Sequence, residues 1–545
     1  MQSTPWWRDS VVYQLYVRSF ADSDGDGIGD LDGITQRLDY IARLGVDALW
    51  LNPCYPSPNV DGGYDVADYT DVDATLGGLP ALELLLKAAH ERGLRVLMDL
   101  VPNHCSAAHA WFRSALASPP GSDERARFHF RDGRGPDGAE PPNNWRSTFS
   151  GSAWTRVVDP QRGPEQWYLH SFDSSQPDFN WDNPEVHDMF AAVLRTWFDR
   201  GVDGFRIDVA YAMVKHPDLP DIERPDDNPY SWNQPGVHTI FERWRQIADG
   251  YARALPLIGE VWLPPHQAAD YIGPGRLHQT FFFDLMLQPW DAEQFKASIA
   301  ATVAHIPAGG GVPTWALNSH DVHRSVSRYG LVSAEPMVTD DANARRTRAR
   351  GVVDVALGVR RARAAALLLL ALPGSVYLYQ GEELGLPEVL DIPAGARRDP
   401  IWHRSNGVEH GRDGSRVPLP WDPSAAAYGF SPDGAAPPWL PQPDWYGAFA
   451  ASLQEDDADS TLSLYRAALA ARRGVFSGES LTWIDLGRPD VVAFRRGDGI
   501  CVTAFGSDSW ELPAGLGTVV LRSDAASAVA GLRDATVWLR AGATG

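Results

Sequence analysis

Residues Gly204–Ala210 read GFRIDVA, a short apolar run carrying one cation and one carboxylate. Its length and composition fit a buried strand. On a strand, Arg206 and Asp208 lie two positions apart and project to the same side. Runs of the same kind recur in both directions. VVYQLYV from Val11, ALWLN from Ala48 and RVLMDLV from Arg95 precede it; PLIGEVW from Pro256, TFFFDLML from Thr280, VPTWALN from Val312 and SVYLYQG from Ser375 follow. Several lead into amphipathic segments such as LPALELLLKAAHERG from Leu79. This repetition of β-then-α units predicts an α/β protein built on a closed (β/α)8 TIM barrel. A doubly wound open sheet would show the same alternation, but no glycine-rich phosphate loop follows the first strand.

The 545 residues exceed one simple core. The barrel is assigned to residues 1–102 and 179–477. Residues 103–178, rich in Pro, Gly, Asn and Trp, are too many for one crossover helix and are assigned to an inserted loop domain after the third strand. A second excursion, from about Gly385 to Asp459, contains SPDGAAPPWLPQPDW and is expected to wall a pocket. The helix TLSLYRAALAARR then closes the barrel, and alternating segments such as VVAFRR and ICVTAF predict a C-terminal antiparallel β domain over 478–545.

Forty-eight basic against 70 acidic side chains leave a net charge of −22, which repels phosphate backbones and anionic lipid, so neither nucleic acid nor membrane is expected as partner. The longest apolar run, Ala364 to Leu372, falls far short of the ~20 residues that span a bilayer and reads as a buried helix. The opening MQSTPWWRDS lacks the basic-then-apolar pattern of a secretory signal. Three cysteines at wide spacing argue against a disulfide framework and fit a reducing compartment, so the cytoplasm is expected as location. A monomer or small homo-oligomer is expected as the assembly. The 21 tryptophans exceed ordinary core needs and suit stacking on sugars.

In such a barrel the reactive side chains sit at the C-terminal ends of the strands. Beside Arg206, Asp208 is expected to stay ionised and able to attack. Glu260, ending LIGEVW among apolar neighbours, is expected to stay protonated and able to donate. His320 and Asp321 in LNSHDVHR, with Asn103 and His104 in DLVPNHCS, add hydrogen-bonding groups at the same mouth. Any one of these acids alone could be a helix cap or surface ion pair; four strand ends carrying such groups in barrel order point to paired-carboxylate glycoside hydrolysis. Cys105, beside His104, lacks the surroundings of a thiol nucleophile and reads as packing.

DLVPNH, GFRIDVA, GEVW and NSHD resemble the four signature regions of glycoside hydrolase family 13, the α-amylase superfamily. QPDFN from Gln176 and the opening WWRDSVVYQLYVRSF are similar to its α-glucosidase and oligo-1,6-glucosidase branch. The resemblance implies Asp208 as nucleophile, Glu260 as acid/base and Asp321 as a third acid stabilising the transition state. It also implies a glucose subsite completed by His104, Arg206 and His320, by Asp61 and Tyr64 of DGGYD, by the aromatic walls Phe149 and Phe172, and by Arg416 of GRDGSRVPLPW. The implied activity is retaining, exo-acting release of terminal α-glucose from maltose and short α-glucosides. The alternatives are a glucosyltransferase or isomerase of trehalose synthase or sucrose isomerase type, or an α-1,6-preferring enzyme. Val209 resembles α-1,6-acting members, and Val-Ala there also occurs in α-1,4-acting ones; the sucrose isomerase motif RLDRD is absent. Non-catalytic barrel relatives carry a membrane span and lack the acids, and this sequence has neither feature. Two departures stand out: Phe179 in QPDFN where Leu is usual, and NSHD in place of SNHD.

Asp22, Asp24, Asp26 and Asp30 in ADSDGDGIGD alternate oxygen ligands around glycines like the start of an EF-hand, yet Gly33 stands where its closing Glu would be. The family resemblance implies a structural Ca2+ here, with Mg2+ as the other candidate and the Ile28 carbonyl as a further ligand.

Overall fold

The computed structural model describes residues 5–159, 163–224, 228–306, 310–335, 350–506, 508–524 and 531–542. Eight parallel strands close a barrel in chain order: β1 (Val11–Leu15), β2 (Ala48–Leu51), β3 (Arg95–Leu100), β4 (Gly204–Ile207), β5 (Leu257–Gly259), β6 (Gln279–Phe281), β7 (Val312–Ala316) and β8 (Ser375–Tyr379). β8 returns to pair with β1, Val376 opposite Val11, so no edge is left open. Strands covered on both faces have no solvent side, which is why they read as unbroken apolar runs rather than alternating ones. The run from Ala364 lies in the helix Val355–Ala371, whose C-terminal half is buried. Trp538 Nε1 donates to the Leu367 carbonyl at 2.9 Å, fastening that helix to the C-terminal sheet. Among the described residues no helix is long and apolar enough to cross a membrane.

Between β3 and β4 the chain leaves the barrel to form a three-stranded antiparallel sheet of Phe130–Arg131, Trp154–Asp159 and Gly163–Leu169. It has its own apolar cluster, including Trp145, Trp154 and Leu169. Its return is stitched to the end of β3, where Phe179 N–H donates to the Asn103 carbonyl at 2.9 Å. The unusual Phe179 is fully buried against the rings of Phe128, Tyr69 and Phe190. Its larger ring is therefore accommodated by packing and does not face the mouth of the barrel.

The last five strands, Thr482–Trp483, Val491–Arg496, Gly499–Ala504, Thr518–Arg522 and Ala535–Arg540, form one antiparallel sheet in which the final strand is inserted between Gly499–Ala504 and Thr518–Arg522. The excursion after β8 divides in two. Its Pro-rich half forms the short 3-10 turns Ala426–Gly429 and Asp444–Phe449 and the one-turn helix Ala451–Gln454, because prolines donate no backbone hydrogen bonds to longer elements. That half lies over the aspartate-rich loop, with Ala436 and Trp439 N–H donating to the Gly25 and Gly27 carbonyls. The preceding half, around Arg404 to Arg416, is what reaches the mouth of the barrel.

Candidate active site

A single buried guanidinium organises the strand ends. Arg206 on β4 places Nη1 2.8 Å from Asp99 of β3 and 2.8 Å from Asp208, and Nη2 2.5 Å from Glu260, which follows β5. Because Nη1 and Nη2 belong to one rigid planar fork, the Asp208 and Glu260 carboxylates are held as immediate neighbours. Asp99 also accepts from Tyr64 Oη at 2.9 Å and Trp50 Nε1 at 3.1 Å. Between the two candidate reacting acids sits Val209, a β-branched residue at φ 34°. That conformation is costly for valine and persists only where the surroundings impose it. Here it turns the Val209 N–H onto Glu260 Oε2 at 2.9 Å.

A second ionic group faces the first. Asp321, beyond β7, is paired with Arg412 at 3.1 Å and Arg416 at 3.0 Å, and His320 Nε2 lies 3.3 Å from it. Arg412 further binds Asp61 at 2.7 Å and Asp399 at 2.7 Å, so the loop after β8 is tied across the mouth to the loop after β2. The Tyr64 ring stacks on His320, centroids 5.3 Å apart and planes 2° from parallel. Gln14 on β1 fixes His320 through Nδ1 at 2.8 Å. The order NSHD acquires a structural sense: Asn318 accepts from Ser325 N–H at 2.5 Å and Ser319 from Asp321 N–H at 3.2 Å, so both shape the turn that presents Asp321.

Phe149 and Phe172 pack with Val209 and Ile401 as one apolar wall. The Arg412 guanidinium lies 5.0 Å from the centre of the Phe149 ring. Gln176, the first residue of QPDFN, donates to Asp61 at 3.2 Å and meets His104 Nε2 at 3.2 Å, bridging two candidate sugar ligands.

Burial pushes Asp208 well above the ordinary carboxylate range; Arg206 opposes the rise, and Glu260, Asp99 and Asp321 add to it. This corrects the expectation that Arg206 keeps Asp208 ionised, since one cation is shared among three carboxylates. Glu260 also differs from its expected apolar setting, because Arg206, Val209 N–H and Trp262 Nε1 all reach it. Burial and its three acidic neighbours thus oppose the charged form of Asp208. Burial likewise lifts Asp99 and Asp61 to about 6. For Asp321 burial is outweighed by His320, Arg412 and Arg416, which hold it well below the usual range. Burial pushes His320 well down and His104 down to about 4.

A model of the alpha amylase catalytic domain matches residues 14–477. The chain belongs to the α-amylase family. This member is 38% identical over 490 residues to a probable alpha-glucosidase of Rhizobium meliloti, covering 86% of this chain and 82% of that one. It is 34% identical over 506 residues to an oligo-1,6-glucosidase of Parageobacillus thermoglucosidasius, covering 86% and 84%. Among solved structures, the alpha-glucosyl transfer enzyme XgtA superposes with a TM-score of 0.85 at 36% identity, over 99% of this chain and all of that one. The trehalulose synthase MutB of Pseudomonas mesoacidophila does so with a TM-score of 0.84 at 30% identity, over 99% and 100%. The protein is thus a glycoside hydrolase whose relatives include enzymes named for α-glucosides.

In this α-amylase family member, every residue singled out from the sequence as a sugar-site candidate gathers at one barrel mouth: Asp208, Glu260, Asp321, Asp61, Tyr64, His104, Phe149, Phe172, Arg206, His320 and Arg416. Asp99, Asp399 and Gln176 join them without having been assigned there, and Arg412, which shares the GRDGSRVPLPW motif with Arg416, joins them as well. A carboxylate inside RVLMDLV was the signal for Asp99, whereas the loop residue Asp399 carries no periodicity that could have marked it. Away from the mouth, Asp22, Asp24 and Asp30 each bring a carboxylate oxygen into one group whose atoms lie within 4.8 Å of one another. Asp26 is not in that group; its Oδ1 accepts the Ile28 N–H at 2.7 Å. Cys105 is fully buried and its thiol is pushed well up by burial, which fits packing and not nucleophilic chemistry.

A raised carboxyl makes stability depend on pH. Asp61 takes up its proton near 6 in the fold and near 4 when unfolded, so its contribution is complete below pH ~4 and is lost as pH rises through about 6. Denaturant unfolding of the wild type and Asp61→Asn should show their difference shifting by roughly 2–3 kcal/mol against the wild type between pH 4 and pH 7. A constant difference would contradict the assignment.

Proposed function

We propose that the protein is a retaining, exo-acting α-glucosidase that releases α-glucose from the non-reducing end of maltose and short α-glucosides. The observation that carries this reading is the pairing of Asp208 and Glu260 on adjacent nitrogens of Arg206. Close carboxyls suit a double displacement, in which one attacks the anomeric carbon and the other protonates the leaving oxygen and then activates water. Asp61, Asp99, Asp321 and Asp399 surround this pair with more acids than Arg206, Arg412 and Arg416 can neutralise, a setting complementary to a cationic transition state. Exo action is supported by the ties across one end of the cleft, where Arg404 donates to the Ser150 carbonyl at 2.7 Å and Arg412 binds Asp61.

A time course with maltose, isomaltose, sucrose and trehalose tests substrate, linkage and transfer together. Maltose should be cleaved fastest and the glucose first released should be the α anomer by NMR; initial β-glucose would overturn retention. The 36% identity to an alpha-glucosyl transfer enzyme supports a second reading, transfer to a sugar acceptor, which the same experiment detects as products larger than the substrate.

The acidic loop is proposed to hold Ca2+, or Mg2+ in its place, through Asp22, Asp24 and Asp30, with Asp26 and the Ile28 carbonyl as further candidates. An ion there would offset carboxylates that already share one turn and cap the helix Leu31–Gln36 through Asp30. Addition of Ca2+ after chelation should raise Tm by about 5 °C, consistent with a ligand well above its Kd. Asp30→Asn should abolish that rise. The free, buried cysteines Cys54, Cys105 and Cys501 fit the proposed cytoplasmic location.

A further inference from the structure

The two oxygens of Glu260 are not equivalent. Oε2 accepts from Val209 N–H and faces Arg206 Nη2, so its lone pairs are committed. Oε1 accepts from Trp262 Nε1 at 2.8 Å. Trp262 lies two residues beyond Glu260 and is half-buried, and its indole is clamped rather than free. It stacks on Phe283 with centroids 3.9 Å apart and planes 15° from parallel, and Phe283 stacks in turn on Phe281 of β6 at 5.2 Å and 11°. An indole N–H can only donate. It cannot take a proton from Glu260; it fixes where Oε1 stands.

We propose that Trp262 is the positioning residue for proton transfer, its indole N–H holding Glu260 Oε1 as the oxygen that delivers the proton to the leaving group. This rests on the reading of Glu260 as the acid. As Asp208 forms its bond to the anomeric carbon, the bond from that carbon to the leaving oxygen breaks. The proton on Oε1 passes to the departing oxygen, and the electron pair of the O–H bond remains on Glu260 as a carboxylate. The Trp262 N–H is already in place to stabilise that charge, at no reorganisation cost at the moment of reaction. The aromatic stack supplies the rigidity, because a ring clamped from beneath cannot swing away as the charge develops.

The test is leaving-group dependence. Values of kcat/KM report only the steps up to departure of the leaving group, so they isolate proton donation from later hydrolysis. Maltose must protonate its leaving glucose, whereas p-nitrophenyl α-glucoside departs as a stable phenolate. Trp262→Phe keeps a ring on Phe283 and removes the N–H. It should lower kcat/KM on maltose by about 20-fold and on p-nitrophenyl α-glucoside by less than about threefold, the scale of one charge-directed hydrogen bond. Phe283→Leu keeps the N–H but loosens the clamp, and should give the same split at about fivefold on maltose. Equal losses on both substrates, or none, in the variants that fold by thermal unfolding would overturn the proposal, since a ring that merely packs does not distinguish leaving groups. Glu260→Gln separates this from the underlying reading. If Glu260→Gln shows a large split and the Trp262 and Phe283 variants do not, Trp262 is no positioner; if Glu260→Gln shows no split, Glu260 is not the acid.

Discussion

Replacing Asp208 by Asn should lower kcat/KM on maltose by about 10⁴-fold or more, the scale seen when a nucleophile is removed from a working set. The substitution changes one oxygen for an amide of equal size, so the loss reports chemistry and not shape. Stability should be unchanged or slightly raised, because burial already opposes charge at this position and an amide removes that cost. The decisive readout is covalent. Glu260→Gln, given α-glucosyl fluoride whose leaving group needs no proton, should accumulate protein heavier by one hexosyl unit. The double variant with Asp208→Asn should not. A hexosyl adduct in the double variant would remove Asp208 from the nucleophile's role, whatever the size of the rate loss.

The barrel was legible because its strands are buried on both faces. A closed parallel barrel turns each strand into a short continuous apolar run, and each of the eight runs beginning at Val11 and ending with Ser375 holds all or most of one barrel strand. The extent of β6 was not legible: the strand starts one residue before TFFFDLML, at Gln279, and ends at Phe281, and Phe283 serves instead as the floor beneath Trp262. The reacting acids were legible because ionisable groups at strand ends interrupt apolar runs. Their protonation was not. Local neighbours such as Arg206 beside Asp208 suggested one fixed state for each acid, but the field at a carboxyl is set by groups far apart in the chain, Asp99, Glu260 and Asp321 among them. Arg412 shows the same limit. Its partners Asp61, Asp321 and Asp399 lie 351, 91 and 13 residues away, and no sequence spacing joins them. The left-handed Val209 is likewise invisible in sequence, because valine is among the residues least expected there.

Arg206→Lys should be the most damaging substitution that keeps the charge at the mouth of the barrel. The guanidinium serves Asp99 and Asp208 through one nitrogen and Glu260 through the other, and its plane lies 5.1 Å from the centre of the Trp50 ring. A lysine ammonium is a single point without that fork and cannot span three carboxylates. At least one of them would be left buried without its cation, which costs on the order of 3 kcal/mol in comparable broken pairs. The expected result is a fall in Tm together with a loss in kcat/KM of about 10²–10³-fold, because the relative placement of Asp208 and Glu260 is lost along with the charge. The pH profile supplies the sign. Arg206 opposes the burial-driven rise of Asp208, so weakening that opposition must raise the carboxyl further and move the acidic limb of activity to higher pH. Arg206→Met, which removes the cation altogether, should move the limb further in the same direction. An acidic limb that stays in place in both variants would mean that the group titrating there is not held by Arg206, and the assignment of the charged cluster as the catalytic pair would fail with it.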